Sequence, residues 1–159
     1  YNEANANTQA LFIESLREVV EYAAGKGVSL ALETVETALM DSIEKAMQFV
    51  SLVNSPYLQI YPDVGNITAT GNDVKKDFLS GAGHIMAIHL KDTRPGQVRD
   101  VPYGEGTVDF VSFFRLLRKM DYKGLLVMEM WAAGGRGESI EYISSARDFM
   151  IARYREASV

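Results

Sequence analysis

The apolar positions of this chain switch repeatedly between two periods. Over residues 8–24, Phe12, Leu16, Val19 and Ala23 recur at helical spacing, and Gly25 and Gly27 stop the run. Val28-Ser29-Leu30-Ala31-Leu32 then reads as a short buried strand ending at Glu33. A helix is predicted over 42–53, with Asp41 and Glu44 at capping-box spacing and Asn54-Ser55-Pro56 ending it. Tyr57-Leu58-Gln59-Ile60-Tyr61 is the second predicted strand, ending near Asp63. A short helix over 72–80 stops at Gly81, and Ile85-Met86-Ala87-Ile88 is the third strand, ending at His89. A long loop, a helix over 109–120, a strand Leu125-Leu126-Val127-Met128 ending at Glu129, and a helix over 139–155 complete the pattern.

Strands alternating with helices imply an α/β fold with parallel strands and right-handed crossovers. Such sheets gather functional side chains at the strand C-termini. Here four successive strands end in Glu33, Asp63, His89 and Glu129, separated by 30, 26 and 40 residues, each the length of one βα unit with its loop. One acid at a strand end is ordinarily a helix cap or a solvated loop residue. Four such ends in succession, each a metal-ligand type, point instead to one site. Three carboxylates and an imidazole suit a divalent metal ion such as Mn²⁺, Mg²⁺, Co²⁺ or Zn²⁺. That cation acts as a Lewis acid, easing removal of a proton from carbon and stabilising an enediolate. Two glutamates on opposite sides of it can serve opposite faces of one carbon, which is epimerisation.

Composition narrows the setting. The 159 residues, 47% hydrophobic and 23% charged, suit a single domain over 1–159. There is no cysteine, which removes disulfides, thiolate metal sites and a cysteine nucleophile. A net charge of -5 argues against a general electrostatic grip on nucleic acid. No apolar run approaches the roughly 20 residues of a membrane span, so a cytoplasmic protein without a membrane partner is expected. The first residue is Tyr1 rather than Met, which is expected of a processed or truncated piece.

Several stretches resemble a known family. They are Ala31-Leu32-Glu33-Thr34, Gln59-Ile60-Tyr61-Pro62-Asp63-Val64-Gly65-Asn66 and Gly83-His84-Ile85-Met86-Ala87-Ile88-His89-Leu90-Lys91-Asp92-Thr93, followed by Val101-Pro102-Tyr103-Gly104-Glu105-Gly106-Thr107-Val108-Asp109-Phe110 and Met128-Glu129-Met130-Trp131. In this order they resemble the xylose-isomerase-like barrel epimerases, most closely the L-ribulose/L-xylulose 5-phosphate 3-epimerases of pentose and ascorbate catabolism. His-Leu-Lys-Asp is shared by many sugar isomerases, whereas the Tyr-Pro-Asp-Val-Gly-Asn and Val-Pro-Tyr-Gly-Glu-Gly stretches are more specific.

The resemblance implies that Glu33, Asp63, His89 and Glu129 are the metal ligands and that Glu33 and Glu129 are the acid/base pair. It implies metal-dependent 3-epimerisation of a ketopentose 5-phosphate by two-base proton transfer. It also exposes a departure. A full (β/α)₈ TIM barrel needs roughly 250 residues, and this chain supplies about four strands, the C-terminal half. A half barrel leaves two sheet edges and an apolar inner face open. The expected partner is therefore a second copy, as a homo-oligomer (dimer), or the absent N-terminal half, besides the sugar phosphate itself.

Further residues have two readings each. Lys91, two residues past His89 on the same strand face, meets a substrate oxygen or phosphate, or is a solvated loop lysine. Asn66 points its amide at the sugar or serves a Gly65-Asn66 turn. The 90–108 loop is long enough for a functional loop or lid. In it Arg94, less so Arg99, meets a phosphate or stays exposed. Gly104 and Gly106 bring backbone N–H groups to an anion or make a plain turn. The Gly-rich stretch from Ala132 to Gly137 is a candidate phosphate loop. Glu36 and Trp131 are candidate pocket-lining residues, Trp131 also being readable as packing, and His84 reads as structural. Competing functions are an aldose–ketose isomerase with the same metal logic, and a non-catalytic, self-associating metal-binding module. A zinc endonuclease of this barrel class needs more histidines than His84 and His89.

Overall fold

The computed structural model describes residues 5–131 and 136–158. Helix α1 (Ala6–Ala24) begins at Asn5, whose side chain accepts from the Asn7 and Thr8 amides. Its buried stripe is not the expected one: Val20 is 2% exposed and Val19 is 53% exposed. The inward face runs through residues 12, 13, 16, 20 and 23, and position 19 lies at its solvent margin.

Strand β1 (Leu30–Glu33) leads to α2 (Ile43–Val53). The expected cap at Asp41 is corrected here. Ser42 is the N-cap and accepts from Lys45 N at 3.3 Å, while Asp41 pairs with the Lys45 ammonium at 2.7 Å. Two further amides of this helix start, Ile43 N and Glu44 N, donate across to Asp77 at 2.9 and 3.2 Å. Burial raises the pKa of Asp77 above the ordinary carboxylate value, against those two donors.

Strand β2 (Leu58–Tyr61) runs straight into α3 (Val64–Ala69), an element absent from the sequence reading. Asp63 caps α3 through its own carboxylate, accepting from Asn66 N at 2.9 Å. Helix α4 (Val74–Ser80) is capped by Asp73. Strand β3 (Ala87–Leu90), helix α5 (Phe110–Lys119), strand β4 (Leu125–Met128) and helix α6 (Arg136–Glu156) follow.

β1 pairs with β2 and β3 with β4, both in parallel. The two pairs are joined by parallel bridges Ile60↔Ile85 and Asp63↔His89, giving the spatial order β1-β2-β3-β4. Between these bridges β3 advances one residue more than β2, a bulge. Pairing with β4 starts only at Ala87, so the regular strand lies two residues later than expected.

The sheet's helical side carries the core. Leu58, Ile60 and Ile88 are fully buried, Leu90 is nearly so, and they share one cluster with Phe49, Phe78 and Phe113. Phe78 and Phe113 meet edge to face at 4.8 Å. At the margin, β4 exposes Leu125 at 70% and Leu126 and Val127 at 38% each. Among the described residues β1 and β4 are each paired on one side only, the geometry of an open half barrel. No helix among them is long and apolar enough to cross a membrane.

Candidate metal centre

Glu33, Asp63, His89 and Glu129 meet at one point. Each offers a ligand atom, and these atoms lie within 4.8 Å of one another. In a flat parallel sheet the ends of β1 and β4 would stand about 14 Å apart, three strand spacings. Curvature and two long glutamate side chains remove that separation. His89 Nδ1 sits between the two glutamates, 2.7 Å from Glu33 Oε1 and 3.3 Å from Glu129 Oε2. Side-chain exposure falls from 39% at Glu33 to 25% at Glu129, 20% at His89 and zero at Asp63.

The donors are held from behind. The hydroxyl of Thr34, the residue after Glu33, accepts from Asp63 N at 2.9 Å. The Asn66 amide donates to Thr34 O at 2.9 Å, so β1 is tied to the start of α3 directly under the site. The Tyr61 ring lies against the His89 ring, centroids 4.2 Å apart. Glu129 N continues the β3–β4 ladder by donating to Leu90 O at 2.9 Å. The Tyr103 hydroxyl reaches both Leu90 O, at 2.5 Å, and Glu129 O, at 2.9 Å.

Electrostatics follow from crowding acids in a half-buried mouth. Burial pushes the Asp63 carboxyl up to about 7, opposed by Lys91 and the Asn66 amide. The hydrogen bond to Glu33 raises the pKa of His89, against its partial burial. Burial, with the surrounding carboxylates, also raises the pKa of Tyr61 and Tyr103.

The set fits a hard or borderline divalent cation. Asp63 Oδ2 and Glu129 Oε2 are buried, and no hydrogen-bond donor is aligned on either. The nearest nitrogens are Lys91 Nζ, 3.0 Å from Asp63 Oδ2, and His89 Nδ1, 3.3 Å from Glu129 Oε2. Carboxylate oxygens without an aligned donor, beside an imidazole nitrogen, are the groups such a cation takes.

The sequence-predicted contacts divide. Lys91 is buried, its ammonium 3.0 Å from Asp63 Oδ2 and 3.3 Å from Glu129 Oε1, with the Trp131 ring centroid at 5.4 Å. Asn66 is 2% exposed, and its Oδ1 has no partner. Arg94 pairs with Glu105, through Nε to the carbonyl at 2.7 Å and NH2 to the carboxylate at 3.1 Å. Arg99 meets Glu36 at 3.5 Å, and His84 meets Gln59 at 3.2 Å below the sheet's other end. The candidate phosphate loop, the Gly-rich stretch, lies outside the described residues over 132–135.

Asp92 carries a role the sequence reading missed. Its buried carboxylate accepts from the amides of Thr93, Gly104, Gly106 and Val108 at 2.9–3.3 Å. The anion that Gly104 and Gly106 approach is thus the chain's own. A Cβ on Gly106 would collide with this carboxylate. The only signal in the sequence was an Asp in front of a glycine-spaced loop.

A family model described as xylose isomerase-like TIM barrel matches residues 2–153. The chain belongs to the xylose isomerase-like TIM barrel family. Among curated proteins, this family member is 42% identical over all 159 residues to the L-ribulose-5-phosphate 3-epimerase UlaE of Escherichia coli O139:H28 (strain E24377A / ETEC). It is equally similar to the protein of the same name from Escherichia fergusonii. It covers 56% of each, so the chain spans about half the length of the curated relatives it matches. Among solved structures, an L-ribulose 3-epimerase superposes with a TM-score of 0.81 at 18% identity, covering 99% of this chain and 58% of that one. A D-allulose 3-epimerase from Methylomonas sp. superposes at 0.80 and 23% identity, covering 97% and 58%. At such identities these two establish the barrel fold alone.

Proposed function

We propose that this chain carries the catalytic half of a metal-dependent 3-epimerase acting on a ketopentose 5-phosphate, L-ribulose 5-phosphate or L-xylulose 5-phosphate. One observation carries the reading: four donor atoms from four successive strand ends lie within 4.8 Å, the two glutamates on the outermost strands. The 42% identity to UlaE supports the substrate class.

Glu33, Asp63, His89 and Glu129 would hold a divalent ion, Mn²⁺, Zn²⁺, Mg²⁺ or Co²⁺. When bound, it supplies Lewis-acid stabilisation of the charge that develops on the substrate oxygens. The proton chemistry belongs to the glutamates. One, ionised, takes the C3 proton from one face; the other, protonated, returns a proton to the opposite face. The C3 configuration inverts, and the two carboxyls exchange protonation states. Which of them begins depends on the substrate's hand. Lys91, beside Asp63 and Glu129, and Asn66, behind them, would serve the substrate oxygens, and Arg94 is the loop cation for the phosphate, after release from Glu105.

The open β1 and β4 edges favour a completed barrel, formed by a second copy of this single domain or by a further barrel segment.

The test is NMR of L-ribulose 5-phosphate in D₂O with the protein and Mn²⁺. Deuterium enters C3 as the epimer forms, and Glu33→Gln and Glu129→Gln each slow this by about 10²-fold or more. Deuterium entry with an aldose product assigns the isomerase instead. Mn²⁺ uptake without any exchange assigns a binding module.

A further inference from the structure

We infer that Lys91 is the built-in counter-cation of the four-residue centre, and that it holds the centre's affinity for a divalent cation down. The inference rests on the metal-binding part of the function proposed above. Its geometry is one of sharing. Asp63 Oδ1 already accepts from Asn66 N, so Oδ2 is the oxygen left for any cation. The Lys91 ammonium stands 3.0 Å from that same Oδ2 and 3.3 Å from Glu129 Oε1.

Lys91 cannot give way cheaply. Its side chain is 6% exposed, and an ammonium taken from water needs ionic partners to stay charged. Its carbonyl packs against Gly65 so closely that a Cβ there would collide with it. The Thr93 hydroxyl donates to Gly65 O at 2.8 Å, and Asp92 fixes the following turn. The backbone that carries Lys91 is clamped, and its ammonium stays beside the acids.

Charge then has two opposite consequences. Among the described residues, Lys91 and His89 are the cation-forming side chains within 4 Å of the three carboxylates, so Lys91 stabilises the metal-free fold. With a dication bound and all three carboxylates ionised, before substrate enters, Lys91 completes the charge balance of the centre. The dication therefore binds against a fixed positive charge a few ångströms away. Removing that charge weakens the empty protein and tightens the metal.

The experiment compares the full chain with Lys91→Met, Lys91→Gln and Lys91→Arg, without substrate. Mn²⁺ binding is read by the EPR signal of the free ion, and thermal unfolding is followed in EDTA and in Mn²⁺. Lys91→Met and Lys91→Gln are expected to bind Mn²⁺ at least about tenfold tighter, and Lys91→Arg to stay within about threefold of the parent. In EDTA the two neutral variants melt lower, and Mn²⁺ raises their melting temperature by more than it raises the parent's. If Lys91→Met is unfolded in EDTA, recovery of its far-UV CD on adding Mn²⁺ supports the inference, and no recovery overturns it. Equal or weaker Mn²⁺ binding by folded neutral variants overturns it while leaving the metal centre standing. No uptake of Mn²⁺, Zn²⁺ or Co²⁺ by the parent overturns both.

Discussion

β3 and β4 are neighbours of equal length, paired in parallel, and each delivers one site residue from its C-terminal end. Their surroundings differ sharply. Ile88 and Leu90 of β3 are 0% and 3% exposed, covered by helices on one side and flanked by strands on both edges. β4 reads Leu-Leu-Val-Met, the more apolar sequence, yet Leu125 is 70% exposed. Hydropathy states what a strand prefers, and position in the sheet states what it obtains. The centre is thus half anchored in a packed interior and half carried on an open edge, which Tyr103 and the Leu90–Glu129 bond tie back to β3.

The largest test of that contrast is a pair of truncations. Ile88→Ala should cost about 3 kcal/mol of unfolding free energy, as a fully buried side chain leaves a cavity. Leu125→Ala should cost under about 0.5 kcal/mol in urea unfolding of the dilute protein. A Leu125→Ala loss that grows with protein concentration would show the β4 edge covered by another copy.

Asp92→Asn comes next, at about 2–3 kcal/mol, because four backbone donors converge on that carboxylate and an amide turns its NH₂ toward some of them. Urea unfolding reads the loss. Faster amide exchange confined to the 93–108 loop would mark the brace it supplies.

The pH response should come from the packed side. Burial lifts Asp63 to about 7, and Glu33 lifts His89. Each folded pKa lies above its unfolded value, so each contribution is complete below the unfolded pKa and lost as pH rises through the folded one. In EDTA the chain should therefore lose roughly 2–3 kcal/mol between pH 5 and pH 8. Thermal melts follow this loss, and Asp63→Asn should flatten much of it. Bound metal needs Asp63 ionised and His89 neutral, so Mn²⁺ should reverse the slope.

Tyr103→Phe is the smallest change, about 1 kcal/mol, for one hydroxyl shared between the two strand ends. It loosens the open edge onto the anchored centre, so the Mn²⁺ dissociation rate should rise along with the small stability loss.

Much of the fold and the four donors could be read from residue order alone. Period-two and helical runs are local, and the residue after each strand is a covalent neighbour, so Glu33, Asp63, His89 and Glu129 fell at strand ends without any tertiary information. Helix α3 escaped because its cap is Asp63 itself, and Val64-Gly65-Asn66 directly after a strand looks like a turn. The start of β3 was misplaced because the bulge depends on two partners with different needs. Whether Val19 or Val20 faces inward was decided by where α2 lies against α1.

Residue types and their spacing determined the alternating elements, the parallel class and the chemistry available at each strand end. Packing decided that Glu33 and Glu129 meet over His89, that Lys91 is buried between two acids, and that Asp92 receives four amides. The physical reason is range. Periodicity and ligand chemistry reside in single residues and near neighbours. Sheet curvature, desolvation and shared hydrogen bonds join residues as much as 96 positions apart, as for Glu33 and Glu129, and exist only once the chain has closed on itself.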